Sequence, residues 1–194
     1  MKSILIKIIA SCARMLCGEV STDFLIKKGL KVGANFSREG GVRIDTSYCF
    51  LIEIGNNVTL APNVILLAHD ASLKMICGLS KLGRITIGDN VFIGANSVIL
   101  PNVSIGSNVI IGAGSVVVKN VPDNSVYAGN PARYVRSISE IKNKNMELLK
   151  TRPTYDRTFS PLEINEKLKL KMKEELKTGF GFYQCNNYRS FNNQ

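Results

Sequence analysis

The strongest constraint on the fold of this 194-residue chain is a recurrence of large apolar residues every six positions. From Ile54 the steps land on Leu60 and Leu66; from Ile87 they land on Ile93, Ile99, Ile105, Ile111 and Val117. Counting back from Ile54 gives Tyr48, Val42, Phe36 and Leu30, apolar but more varied. With 45% hydrophobic residues overall, thirteen such anchors would arise by chance on the order of once in 10⁴–10⁵. Glycine often follows the anchor (Gly55, Gly88, Gly94, Gly106, Gly112). Three residues after the anchor come Asn57, Asn63, Asn90, Asn96, Asn102, Asn108, Gly114 and Asn120, with Pro62 and Pro101 just before two of them. Asn and Gly tolerate positive φ, so each unit reads as a short strand and then a sharp corner. Six residues are too few for a strand–helix unit and give the wrong period for an amphipathic helix. A parallel β-helix remains, with three six-residue sides per coil, each strand stacking on its equivalent and burying its anchor.

These [LIV]-G-x-N-x-x hexads resemble the left-handed parallel β-helix of the hexapeptide-repeat acyltransferases. The resemblance covers about residues 30–136. It implies a mainly β fold of left hand, against the usual crossover rule, and the spacing itself is silent on handedness.

The register breaks between Leu66 and Ile87: three whole hexads from Leu66 would reach Arg84 and fall short of the next anchor. The segment AHDASLKMICGLSKLGR is therefore expected to leave the coil as a loop, about residues 67–86, and loops on a rigid scaffold commonly carry chemistry. The single histidine, His69, falls three residues after Leu66, in the slot elsewhere filled by the corner Asn. From the residues alone, His69 is either a tolerated corner residue or an outward-facing functional group. The family resemblance implies the second: a catalytic base at such a loop, at a subunit junction. An imidazole with a pKa near 6.5 can take the proton of an alcohol as it attacks a thioester and return it to the departing thiolate. The other ring nitrogen then needs an acceptor; adjacent Asp70 is the expected orienter, with a main-chain carbonyl as the alternative.

The segment GAGSVVVKNVPDNSVYAGNPARYVR, residues 112–136, resembles the acetyl-CoA-binding end of the galactoside, maltose and capsular-polysaccharide O-acetyltransferases. Carried over, Ala95 and Ala113 would hydrogen-bond the pantetheine arm through their backbones. Lys119, Arg133 and Arg136 would face the nucleotide phosphates, and Asn130 and Pro131 would border the adenine. A phosphate-rich donor and a cationic rim suit each other. At the positions where the galactoside and maltose enzymes hold their acceptor with Asn and Asp, this chain has Gly41 and Cys49, so acceptor recognition does not carry over. Arg38, Glu39, Arg43 and Asp45 lie nearby along the repeat.

Composition narrows the alternatives. The net charge is +10, which favours a negatively charged partner. No apolar run approaches the roughly 20 residues that a membrane-spanning helix requires. Five scattered cysteines without CxxC spacing argue against zinc or a disulfide framework, and one histidine excludes the three-histidine zinc site of a β-helical carbonic anhydrase. There is no P-loop, no GxGxxG and no nucleic-acid-binding motif. Residues 1–29 are read as a lead-in, with an amphipathic helix over roughly 3–17 ending near Gly18. Lys7 breaks its likeness to a signal peptide. That helix is expected to pack on the protein's own body or to touch the inner membrane face. Residues 137–194 form a C-terminal extension, with helices over 138–150 and 161–177. The second is expected to be capped by Ser160 with Pro161 and Glu163 behind it, and ended by Gly179. The combined expectation is a cytoplasmic, homotrimeric acetyl-CoA-dependent O-acetyltransferase, without metal, acting on a sugar hydroxyl in cell-surface polysaccharide synthesis. An amino-sugar N-acetyltransferase or a non-catalytic scaffold are the other readings.

Overall fold

The computed structural model describes residues 19–162 and 164–184. The described residues fall into two compact units that meet in sequence at Ile138 and Ser139. The N-terminal helix expected over 3–17 lies outside the described residues, as do Glu163 and residues 185–194.

The first unit opens with α1 (Thr22–Lys27), capped by Ser21, whose Oγ accepts from Phe24 N at 3.2 Å. A first coil follows: β1 (Lys31–Val32), β2 (Ser37–Arg38) and β3 (Arg43–Ile44). A second comprises β4 (Ile52–Ile54), β5 (Thr59–Leu60) and β6 (Ile65–Leu66). The chain then makes an excursion through β7 (His69–Asp70), α2 (Lys74–Cys77) and β8 (Lys81–Leu82). Two regular coils come next, β9 (Ile85–Ile87), β10 (Val91–Ile93) and β11 (Val98–Ile99), then β12 (Val103–Ile105), β13 (Val109–Ile111) and β14 (Val116–Val117). β15 (Ser125–Ala128) adds one more rung, and β16 (Arg133–Ser137) turns back antiparallel against it. The strands stack in parallel as three faces: β1-β4-β9-β12, then β2-β5-β10-β13-β15, then β3-β6-β11-β14.

Ile87 pairs with Ile105, Ile93 with Ile111 and Ile99 with Val117, each pair separated by three whole hexads, so like side chains stack on like. The anchors are buried, and so is a second position two residues earlier: Ile52, Val58, Val64, Ile85, Val91, Val103 and Val109. Strands such as β4, β9, β10, β12 and β13 thus turn two aliphatics inward around one outward residue, as the two-residue pleat demands. Each buried Ile, Leu or Val contributes roughly 1.5–3 kcal/mol. At the corners Asn35, Asn57, Asn63, Asn90, Asn96, Asn102, Asn108 and Asn124 all adopt φ between 55° and 64°. Along one edge their amides form a ladder, Asn35 to Asn57 (2.9 Å), Asn57 to Asn90 (2.9 Å), Asn90 to Asn108 (3.1 Å) and Asn108 to Asn124 (2.9 Å). Gly88 follows its anchor because a Cβ there would stand 2.8 Å from the Gly106 carbonyl carbon of the next coil. Asn120 is the exception: it keeps negative φ, and its side chain accepts from Ser104 N at 2.9 Å.

Two alignments differ from the sequence expectation. Val32 pairs with Ile54, where three hexads would have reached Phe50, because residues 45–51 bulge out with a short 3₁₀ turn at Cys49–Leu51. The first-coil anchors are therefore Val32, Arg38 and Ile44, while Leu30, Phe36 and Val42 take the second inward position. Ile54 pairs with Ile87, where three hexads would have reached Ser72. Ile87 thus belongs to the very next side after Leu66, and the long excursion fills nearly all of the chain between them. It is not a small addition to a whole coil.

In the second unit α3 (Ile138–Leu148) lies within the expected span. β17 (Thr154–Tyr155) pairs in parallel with β18 (Phe182–Tyr183). α4 (Glu166–Glu175) is shorter than expected, and its cap is Asn165, whose side chain accepts from Leu168 N at 3.0 Å. Ser160 instead closes a separate turn through Leu162 N (3.4 Å), and the helix stops at Leu176, before Gly179.

Candidate active site

Both excursions leave from the same edge of the prism, where the third face passes to the first. The first begins with Asp45, directly after the anchor Ile44; the second begins one coil on, after Leu66. Ile44 and Leu66 are register partners, so Asp45 and His69 are brought together although 24 residues apart. His69 Nδ1 hydrogen-bonds Asp45 Oδ2. The same oxygen accepts from Ala68 N (3.1 Å), and Oδ1 accepts from Ser47 N (3.0 Å) and Tyr48 N (3.1 Å). The Asp45 side chain is 1% exposed and the His69 side chain 36%. A carboxylate only accepts, so Nδ1–H donates to it, and Nε2 is the ring nitrogen left facing out, where it makes no hydrogen bond among the described residues. Tyr48 packs on the imidazole, ring centroids 5.2 Å apart at 52°. Gly83 N bonds Ala68 O at 3.0 Å and closes the neck of the long excursion.

His69 is therefore outward-facing and at the loop, as expected, but it is not a corner residue: it is extended, the first residue of β7, paired with Leu82. The orienting role expected of Asp70 is corrected. Asp70 is exposed, and its Oδ1 accepts from Ser72 N at 2.8 Å, capping the excursion's turn. That bond, with Lys81 and His69 adding smaller attractions, holds its carboxyl below the usual value of 3.8. Asp45 is the site group that sequence reasoning misses: the repeat puts it near the acceptor region, not against the ring. Its one signal is a buried acid in a slot that glycine fills after other anchors, and that slot emerges only after the first-coil register is moved by two.

Of the residues expected around the donor, Ala95, Ala113, Asn130, Pro131 and Arg133 gather at another edge, between the second and third faces, whereas Lys119 lies at the corner between the third face and the first and Arg136 beside the start of β15. At the corner between the first and second faces, the backbone N–H two residues past each anchor is caught by a side chain one coil on: Ala34 by Asn56 Oδ1 (2.8 Å), Asn56 by Asp89 Oδ1 (2.6 Å), Asp89 by Ser107 Oγ (3.0 Å) and Ser107 by Asp123 Oδ1 (2.7 Å). Ala95 and Ala113 hold the equivalent positions at this edge; one coil on from them stand Ala113 and Gly129, which offer no side-chain acceptor, so the two alanine N–H groups make no hydrogen bond among the described residues. Underneath, buried Ser97 and Ser115 replace the inward valine. Ser97 Oγ donates to Gly112 O (3.0 Å), and Ser115 Oγ accepts from Gly129 N (3.1 Å). Asn130 and Pro131 are exposed in the β15–β16 turn, which Ala132 N ties to Val116 O at 2.9 Å. Arg133 follows at once, and Lys119 lies just past β14; both are exposed. Arg136 lies further along β16, opposite Val126. Within one chain the alanine edge and His69 stand at opposite edges of the third face, up to roughly 20 Å apart at the rise of an extended strand. Among the described residues no cluster of His, Cys, Asp and Glu could hold a metal ion.

This scaffold, with an imidazole–carboxylate pair at a loop neck and a second edge of free amides, has clear relatives. A family model of bacterial transferase hexapeptides (six repeats) matches residues 84–119. Protein CapG of Staphylococcus aureus is 44% identical over 140 residues, 69% of this chain and 81% of that one. The galactoside O-acetyltransferase of Escherichia coli is 36% identical over 124 residues, 60% of this chain and 58% of that one. A solved galactoside acetyltransferase in complex with coenzyme A superposes with a TM-score of 0.53 at 39% identity, over 59% of this chain and 58% of that one. The chain belongs to the hexapeptide-repeat acetyltransferases, and its three-sided coil is the left-handed parallel β-helix of that family.

Proposed function

We propose that this acyltransferase moves an acetyl group from acetyl-CoA to a hydroxyl of a sugar used in cell-surface polysaccharide, with His69 as general base. The observation that carries the reading is the pair of Asp45 and His69, which leaves Nε2 facing out and held in one orientation. Nε2 takes the hydroxyl proton as the oxygen adds to the thioester carbonyl. It gives that proton to sulfur as the C–S bond breaks, leaving an ester and a free thiol. Asp45 touches no reacting atom; it fixes the tautomer and offsets the charge that forms on the ring.

The alanine edge fits the donor: the free N–H groups of Ala95 and Ala113 suit amide carbonyls of the pantetheine arm, Lys119, Arg133 and Arg136 suit its phosphates, and Asn130 and Pro131 border the base. Because that edge and His69 lie across one face, we place each site between two chains of a homotrimer, His69 from one and the donor edge from its neighbour. The protein would work in the cytoplasm. No helix among the described residues is long and apolar enough to cross a membrane, and peripheral membrane contact would fall to the N-terminal segment.

Purified protein given acetyl-CoA and glycosides should release free thiol in step with sugar ester. His69→Ala should lower the rate by about 10²–10⁴-fold. Full activity in that variant would remove the mechanism, and transfer to amino sugars alone would make the enzyme an N-acetyltransferase.

A further inference from the structure

The short excursion, residues 45–51, does more than supply Asp45: it sets two aromatic rings beside the base. Tyr48 lies between His69 and Phe50, its ring centroid 5.2 Å from the imidazole and 6.1 Å from the Phe50 ring, tilted 52° and 54°. The three rings make a continuous step leading from the imidazole out to solvent. Phe50 is 54% exposed, while its neighbour Cys49 is fully buried.

The step is held firmly. Tyr48 N is bonded to the carboxylate that orients His69, Leu51 N bonds Tyr48 O at 2.9 Å, and Lys28 Nζ reaches Thr46 O at 2.7 Å. Gly29, at φ 101°, brings the backbone under Phe50: an added Cβ would stand 2.8 Å from that residue's Cβ. The Tyr48 hydroxyl makes no hydrogen bond among the described residues. An aromatic pair held in place beside the imidazole, one ring half-exposed and the other carrying a hydroxyl without a protein partner, suits a ligand with one apolar face and a polar rim.

We infer that Tyr48 and Phe50 are the platform for the acceptor, and that the enzyme therefore selects a cyclic pyranose whose ring C–H groups form an apolar face. This rests on the acyl-transfer reading above. A pyranose laid on the step would present an edge hydroxyl to Nε2 of His69, and the Tyr48 hydroxyl would meet another. An open-chain polyol offers the same hydroxyls without the flat C–H face and gains nothing from the rings.

The test compares methyl β-galactopyranoside with galactitol as acceptors, for the wild type, Phe50→Leu and Phe50→Tyr, each checked for folding by circular dichroism. Phe50→Leu should lower kcat/KM for the pyranoside about tenfold relative to that for galactitol, through KM, and Phe50→Tyr should restore the ratio. Saturation-transfer NMR should show the pyranoside's ring protons receiving magnetisation from wild type and losing it in Phe50→Leu. A ratio that does not move in an active Phe50→Leu enzyme overturns the platform. If the wild type acetylates neither compound, the acyl-transfer reading fails for such acceptors, and the NMR comparison decides the platform by itself.

Discussion

Asp45 uses all its acceptor capacity inside the protein: three backbone N–H groups and one imidazole. Asp45→Asn would keep much of the shape but place an amide donor against Nδ1, favouring the wrong tautomer. The expected loss in kcat is roughly 10²-fold, with a shifted pH–rate profile, in a protein that still melts cooperatively. Asp70→Asn should retain activity within about threefold, because Asp70 caps a turn at the loop and does not touch the ring. Glu53 gives a pH prediction. Lys31, then Arg84, holds its carboxyl below the usual 4.5. A depressed carboxylate adds stability that is present above its ordinary value and lost as pH falls through the folded one. Glu53→Gln should therefore flatten the acid limb of the melting temperature below pH 4.5. The effect should be small and fade in high salt, since both partners are exposed.

At the scale of the element, the coil is built from two matched demands, one from the strand and one from the corner. The strand needs two inward aliphatics, and the corner needs a residue that accepts positive φ. Asn57 serves the corner at φ 55° and also joins the amide ladder on both sides. Asn57→Gly keeps the conformation and loses the ladder; Asn57→Ala loses both. Denaturant melts should show Ala costing about 1 kcal/mol more than Gly. The hexad was legible because these two demands repeat in every side. The second inward position was not, since Ser97 and Ser115 interrupt its apolar pattern where the coil needs hydrogen bonds below the alanine edge. The start of α4 was not legible either: Asn165, not Ser160, meets an orphan N–H, and both residues look alike as caps in sequence.

At the scale of the molecule, the decisive geometry is that His69 and the alanine edge lie on different corners of one prism. The proposed site would then draw on two chains, and a mixing experiment tests it. His69→Ala chains and chains blocked at the donor edge by Ala113→Trp should each be inactive. Mixed by co-expression, they should recover about a quarter of the wild-type sites, because each intact site draws one half from each chain. No recovery in mixed trimers would place base and donor in the same chain. Light scattering that found an active monomer would do the same.

The repeat alone determined that this chain is a three-sided parallel coil and that His69 stands at a break in it. These follow from short-range physics: a period of six fixes which side chains turn inward and which residues turn corners. The hand of the coil came with the family; the true size of the two excursions and the choice of Asp45 over Asp70 belonged to the tertiary structure. An excursion's length leaves the hexad pattern on either side intact, so sequence spacing does not report how coils align across it. Only the stacking of Ile44 on Leu66 brings a carboxylate 24 residues away against the imidazole, while the neighbour in sequence points to its own turn.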